Sequence, residues 1–469
     1  METMTQPSPS SPSIPRLSRW TKLIYGLGEF GPSVAGGTII PFYYLFFLTD
    51  VAGLRPAVAG SLLLVARLWD AVNDPLVGAI SDRTRTRLGR RRPYILAGAL
   101  PLAATYVLLW LVPAGLSPTA LVVYYLGAYF LYDLFMTIVT GPFYALMPEL
   151  SLDSDERTSI VTYRMATSIL AGLGAAAALP LVFNAAPSLR QGFLWAAVGV
   201  GILSALPFLL IGVKLRERPD FQVPPLLSIR QSIRIVLRSR PFWLAMIVGW
   251  LAWLAIAIVE AVFAYYVVYW SRIPEEDSAI VLAVILGSAT LFLPVVNALA
   301  ARLEKKWAFV AATSTWAATH VLLWFVPQAS VIPVYVVGVL AGLGVSSAHI
   351  LPTSMAADVM EALEIDSGER QEGVFGGMMG FIQKLGTSVA LLAIGWVLEL
   401  TGYQPGVAVQ NSATLTGLRV LVSRVPVVLL IGAAIVAAAF PITRRVHQTL
   451  VAQADRARAA RATAQRPIL

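Results

Sequence analysis

The 469-residue sequence contains no cysteine and only three histidines. Disulfides, thiol catalysis and cysteine-ligated metals are excluded, and a histidine-rich metal site is not expected. Charge is scarce too: Asp, Glu, Lys and Arg make up 13% of the chain, against 57% hydrophobic residues. Soluble domains carry about 25% charge, so this composition belongs in a membrane. The opening stretch METMTQPSPSSPSIPR has neither a basic start nor an apolar run. No cleaved signal peptide is expected from it, and residues 1–22 read as a disordered tail. With no nucleotide loop, nucleophile triad or metal cluster in the sequence, the chain does not read as an enzyme and no cofactor is expected.

What is present is a series of apolar runs, near 24–49, 56–81, 94–113, 119–147, 159–182, 192–213, 242–270, 279–301, 308–326, 331–359, 373–401 and 416–442. Each is long enough to span a bilayer as a helix, giving twelve expected transmembrane helices. If the N-terminus is cytoplasmic, the inside segments hold 27 Lys and Arg and the outside loops only Arg55, Arg190 and Arg272. That asymmetry predicts a multi-pass protein of the plasma membrane, the inner membrane of a bacterium, with both termini in the cytoplasm. It also accounts for the net charge of +9 by orientation at the lipid headgroups, with no nucleic-acid partner implied.

The longest polar connection, 214–240, falls between the sixth and seventh runs. The segments LDSDERTS (152–159) and IDSGERQE (365–372) echo each other at an offset of 213. Together these predict an all-α membrane protein of two pseudo-symmetric six-helix bundles, 23–213 and 241–443, joined by a cytoplasmic loop 214–240 and ending in a basic tail 444–469. Parallel duplication of a six-helix unit is the architecture of the major facilitator fold, in which a midplane solute site is exposed alternately to either side. A monomer is expected.

Five basic residues lie in or at the ends of the runs: Arg67, Arg164, Lys384, Arg419 and Arg424. The acids in comparable positions are Glu29, Asp70, Asp74, Asp133, Glu260, Asp358 and Glu399. Each costs roughly 2.5–3.5 kcal/mol at a helix centre, so the deep ones are expected to face the bundle interior with partners or water. Asp70 and Asp74, at i and i+4, share one helix face with Arg67 a turn away, and Asn73 adds an amide oxygen. Two carboxylates with neutral oxygens suit Na⁺ or Li⁺, or by mutual repulsion hold H⁺. The alternative is a structural pair satisfied by Arg67 and Arg164. At the offset of 213 their counterparts are Ala283 and Gly287, so the repeat does not explain the pair. Glu29, in the glycine-rich YGLGEFGPSVAGG, is expected to line a cavity. Asp133, Glu260, Glu399, Arg419 and Arg424 read as structural or interfacial, and His320 and His349 as packing.

WDAVNDPLVGAISDRTRTRLGRRRPY (69–94) and ERQEGVFGGMMGFIQKLG (369–386) resemble the second- and eleventh-helix signatures of the glycoside-pentoside-hexuronide cation symporters, the group typified by the melibiose permeases. The resemblance implies a cation site at Asp70, Asp74, Asn73 and Thr137. It implies a solute site at Arg164 and Lys384, with Ser33, Thr140 and Tyr144 at positions where the melibiose carriers have two aspartates and a tryptophan. Those acids grip sugar hydroxyls, so cation coupling carries over better than sugar identity. The loop 78–92 resembles the general facilitator motif, and Asp82, Arg83, Arg90 and Arg91 are expected to latch the cytoplasmic side.

The expected function is symport of a small polar solute, a sugar or glycoside, with Na⁺ or H⁺, Li⁺ being a further candidate. A cation-dependent transporter of lysophospholipids or other amphiphiles is the second reading, and a non-transporting membrane sensor or enzyme the third.

Overall fold

The computed structural model describes residues 17–150, 154–215, 229–274, 277–367 and 372–446, with 448, 449 and 453. Among these residues twelve long helices follow one another: α1 (Arg19–Val51), α2 (Pro56–Arg83), α3 (Arg92–Trp110), α4 (Pro118–Leu150), α5 (Ser154–Ala185), α6 (Leu189–Lys214), α7 (Arg240–Trp270), α8 (Ser278–Leu303), α9 (Lys305–Phe325), α10 (Val331–Ser367), α11 (Glu372–Leu400) and α12 (Ser412–Ala438). Ten are long and apolar enough to cross a membrane by length and composition. The other two, α2 and α11, have the length but carry Arg67, Asp70 and Asp74, and Lys384.

The first helix starts earlier than its apolar run. Ser18 caps it by accepting the Thr21 N–H at 3.1 Å, and Lys22 is tied to Glu156 of α5 at 3.0 Å, so residues 19–22 are helical and not tail. Residues 1–16 and most of 444–469 lie outside the described residues. The described part of the 214–240 segment forms a short helix, Ile229–Arg238, whose sequence IRQSIRIVLR repeats arginine every fourth position while Val236 is buried.

Within the first bundle α3 packs between α4 and α6, and within the second α8 and α9 pack on α10 while α12 closes on α7 and α9. The repeat extends to the way helix ends are satisfied. Arg92, at the start of α3, donates to the Gly212 carbonyl at the end of α6 at 2.7 Å; Lys306, at the start of α9, donates to the Phe440 carbonyl just past α12 at 3.3 Å. A cation on terminal carbonyls contributes about 0.3–1 kcal/mol each.

Between the bundles, α2 packs on α11, α1 on α7 and α5 on α8. Lipid tails are as apolar as leucine, so this association depends on close packing. Gly60 and Gly395 supply it: a Cβ on Gly60 would sit 2.7 Å from the Leu391 carbonyl oxygen, and one on Gly395 would strike the backbone of Pro56. Next to this seam the end of the molecule opposite the chain termini is tied shut. The Asp50 carboxylate accepts from Tyr269 and Tyr403, and from the Gly406 N–H at 3.3 Å. Thr49 and Tyr265 share a hydrogen bond of 2.7 Å, and Arg55 pairs with Glu399 at the rim. Rings of α1 and α7 meet edge-on there, Phe42 with Phe263 at 5.4 Å and Phe46 with Tyr265 at 5.3 Å. Glu399 thus has the structural role expected of it.

Candidate functional site

A cavity of about 480 Å³ opens between the bundles and runs toward the end bearing the termini, where it reaches Ser81 and Arg91. Volumes of about 300–1,000 Å³ are typical of small-molecule sites. Its walls come from α1, α2, α4 and α11. Along Pro32–Ile39, where Gly36 meets the cavity, α1 is wound as a π-helix, a winding concentrated at functional sites.

The cavity wall carries the charge cluster. The Lys384 ammonium on α11 is inserted between the two carboxylates of α2, 2.7 Å from Asp70 Oδ2 and 2.6 Å from Asp74 Oδ2. The i, i+4 spacing makes this possible, since it stacks both acids on the face turned to α11. Asp70 is buried, its side chain 3% exposed, whereas that of Asp74 is 46% exposed to the cavity. The Thr137 hydroxyl of α4 donates to Asp74 Oδ1 at 2.8 Å. Arg67 stands at 4.0 Å from Asp70 with its guanidinium 6.0 Å from the Tyr129 ring centre, so it is the more distant of the two cationic partners.

Asn73 departs from the expected arrangement. Its amide turns away from Asp70 and Asp74 and donates to Asp133, at 3.3 Å to the carbonyl and 3.4 Å to the carboxylate. Because i+3 lies about 60° short of a full turn from i, a residue between two stacked acids faces the neighbouring helix instead, here α4. Asp133, read from the sequence as structural, is a buried third carboxylate of the cavity wall. The only sequence signal was its cost in a span.

Closer to α1 and α5 a second group forms. Arg164 Nε lies 3.2 Å from Glu29 Oε2, and its guanidinium sits 5.2 Å from the centre of the Tyr144 ring. The Tyr144 hydroxyl donates to Glu29 Oε1 at 3.2 Å. Arg164 is therefore not the partner of Asp70 or Asp74, which removes one half of the purely structural reading of that pair. Thr140 and Tyr144 line the cavity; Thr140 returns its hydroxyl to the Met136 carbonyl at 2.8 Å, and Ser33 donates to Ser168 at 2.7 Å. Lys384, expected beside the solute, is in this state committed to the carboxylates.

Of the expected latch, Arg91 is buried and donates to Ser81 at 3.2 Å, and Arg90 also has an interaction partner. The side chains of Asp82 and Arg83 lie outside the described residues. For Arg419, Arg424, His320 and His349 the packing agrees with a structural role. Arg419 lies between Trp270 and Trp324, 4.4 and 4.2 Å from their centres, and Arg424 is 3.8 Å from Trp324. His320 is buried with Nδ1 at 2.7 Å from the Val422 carbonyl oxygen, and His349 is 2.9 Å from that of Val345.

The sequence matches the family described as MFS/sugar transport protein over residues 24–444. It is 31% identical to an uncharacterized symporter of Synechocystis, over 93% of this chain and 96% of that one. At 28% identity it is similar to a sodium-dependent lysophosphatidylcholine symporter of Danio rerio, over 91% of this chain and 86% of that one. At 28% it is similar also to YagG of Escherichia coli, named as a glycoside/cation symporter, over 96% and 97%. Among solved structures, the nucleoside transporter NupG superposes with a TM-score of 0.63 at 14% identity, covering 90% of this chain and 98% of that one, a likeness of fold.

Proposed function

The chain belongs to the MFS/sugar transport protein family, and from that premise we propose that it is a cation-coupled symporter importing a sugar or glycoside by alternating access. Its place is then the inner membrane of a bacterium, with both termini in the cytoplasm. On that orientation the described state is closed to the outside and open to the inside. Relatives named as sodium-dependent and as a cation symporter support coupling, and Na⁺ is the first candidate ion.

The observation that carries the reading is the Lys384 ammonium held between Asp70 and Asp74. Three carboxylates, Asp70, Asp74 and Asp133, against two cations, Lys384 and Arg67, leave one negative charge in the cavity wall. A monovalent cation entering at Asp74, the exposed member, neutralises that charge and competes with Lys384 for the same oxygens. Once displaced, Lys384 is free to turn into the cavity, where its three N–H donors meet hydroxyl acceptors of a solute. Ion and solute thereby favour each other through one side chain, and linkage makes the effect reciprocal. Rocking of the bundles about the α2–α11 and α1–α7 seams would carry both across.

Uptake of glycosides into vesicles under an imposed Na⁺ or H⁺ gradient tests the proposal. Asp70→Asn and Asp74→Asn are expected to abolish the response to the gradient; concentrative uptake undiminished in both would overturn it. The lysophosphatidylcholine reading draws support from the Danio rerio relative and is decided by whether lysolipids or glycosides compete for the labelled solute.

A further inference from the structure

The Glu29, Arg164 and Tyr144 group has a feature that the resemblance to sugar carriers did not contain: an acid on α1 one turn before Ser33. Its placement follows from small residues. Gly26 lets α1 touch α5, since a Cβ there would lie 3.0 Å from the backbone of Tyr163, and Gly28 lets it touch α4, since a Cβ there would lie 2.6 Å from the Phe143 ring. Tyr25 locks the register by stacking on Phe143 at 4.5 Å and donating to its carbonyl at 3.0 Å. Glu29 is left beside Arg164, behind the cavity-lining Tyr144, with side chains 11% and 20% exposed.

We infer that Glu29 sets the charge selectivity of the solute site, making it a site for an uncharged, hydroxyl-rich solute and disfavouring anionic ones. The inference rests on the proposed solute role of Arg164 and Tyr144. A lone guanidinium beside an aromatic ring is a receptor for carboxylate or phosphate. Here the guanidinium behind the Tyr144 ring already faces a carboxylate at 3.2 Å, so the pair adds no net charge to that part of the wall. An uncharged polyol suits such a wall, the apolar face of a sugar ring lying on Tyr144. An anion would have to break the pair and then sit against the released carboxylate.

The test is a matched pair of ligands, 4-nitrophenyl glucoside and 4-nitrophenyl glucuronide, which differ by a hydroxymethyl in place of a carboxylate. Affinities are read by tryptophan fluorescence of purified protein in saturating NaCl, with monodisperse elution as the control for folding. Wild type is expected to prefer the glucoside at least tenfold. Glu29→Gln, which keeps the shape but frees the charge of Arg164, is expected to shift that ratio at least tenfold toward the glucuronide, and Glu29→Asp to keep it near wild type. A ratio unmoved in Glu29→Gln, or a wild type that prefers the glucuronide, overturns the inference while leaving symport intact. Binding of neither ligand by wild type, with lysophosphatidylcholine bound instead, overturns the sugar reading and the inference with it.

Discussion

Replacing Lys384 by Met tests the competition at the centre of the proposed mechanism without knowledge of the solute. The substitution keeps the length of the side chain and removes the ammonium from between Asp70 and Asp74. Two unit charges at about 4 Å interact by about 4 kcal/mol at an effective dielectric of 20. Solvent reaches both Lys384 and Asp74, with side chains 35% and 46% exposed, and lowers this figure. A discount to about 1.4–2.8 kcal/mol means that a cation no longer required to displace Lys384 binds about 10- to 100-fold more tightly. Titration calorimetry of the purified protein with NaCl against choline chloride measures this. Saturation at about a hundred times Kd also stabilises the folded state by about 2.7 kcal/mol, giving a rise in Tm as a second readout. Transport, by contrast, is expected to lose its coupling, because the side chain that reports the ion to the solute is gone. Sodium affinity in Lys384→Met equal to or weaker than wild type would refute the competition.

Three further outcomes follow from the geometry. Gly60→Leu forces α2 away from the Leu391 carbonyl and is expected to open the outer end; because the chain has no cysteine, a single cysteine introduced at Tyr265 reports this as faster labelling by an impermeant maleimide. Asp50→Ala removes a buried acceptor shared by Tyr269, Tyr403 and Gly406 and is expected to cost the closed state about 1–3 kcal/mol, whereas Arg55→Ala at the exposed rim costs under about 1 kcal/mol, both readable by the same labelling rates. Asp133→Asn removes one of three acidic groups lining the cavity and is expected to weaken Na⁺ binding severalfold while leaving it measurable, in contrast to its loss in Asp70→Asn; calorimetry separates the two.

Much of the fold was legible in advance, for local reasons. Twelve spans follow from runs of apolar residues long enough to bury their own backbone hydrogen bonds in lipid, and α2 and α11 are recognisable as charged spans from their composition alone. The stacking of Asp70 over Asp74 is likewise a property of one helix, fixed by 3.6 residues per turn. What lies between helices was not legible, because it depends on how each is rotated and how near its neighbour comes. Asn73 follows the helix period away from the pair and finds Asp133, 60 positions on. Glu29 reaches Arg164 only because Gly26 and Gly28 let three helices close together.

By itself, then, the sequence determined that this is a membrane-spanning carrier fold with two acids stacked on one face of the second span, since hydrophobicity and helical period act over neighbouring residues. Only the tertiary structure decided what those acids hold. Lys384 comes to them from 310 positions beyond Asp74, across a seam that Gly60 and Gly395 keep narrow. A charge in lipid must find its partner on whichever helix packing brings within about 3 Å, and that choice is made by the assembled bundle.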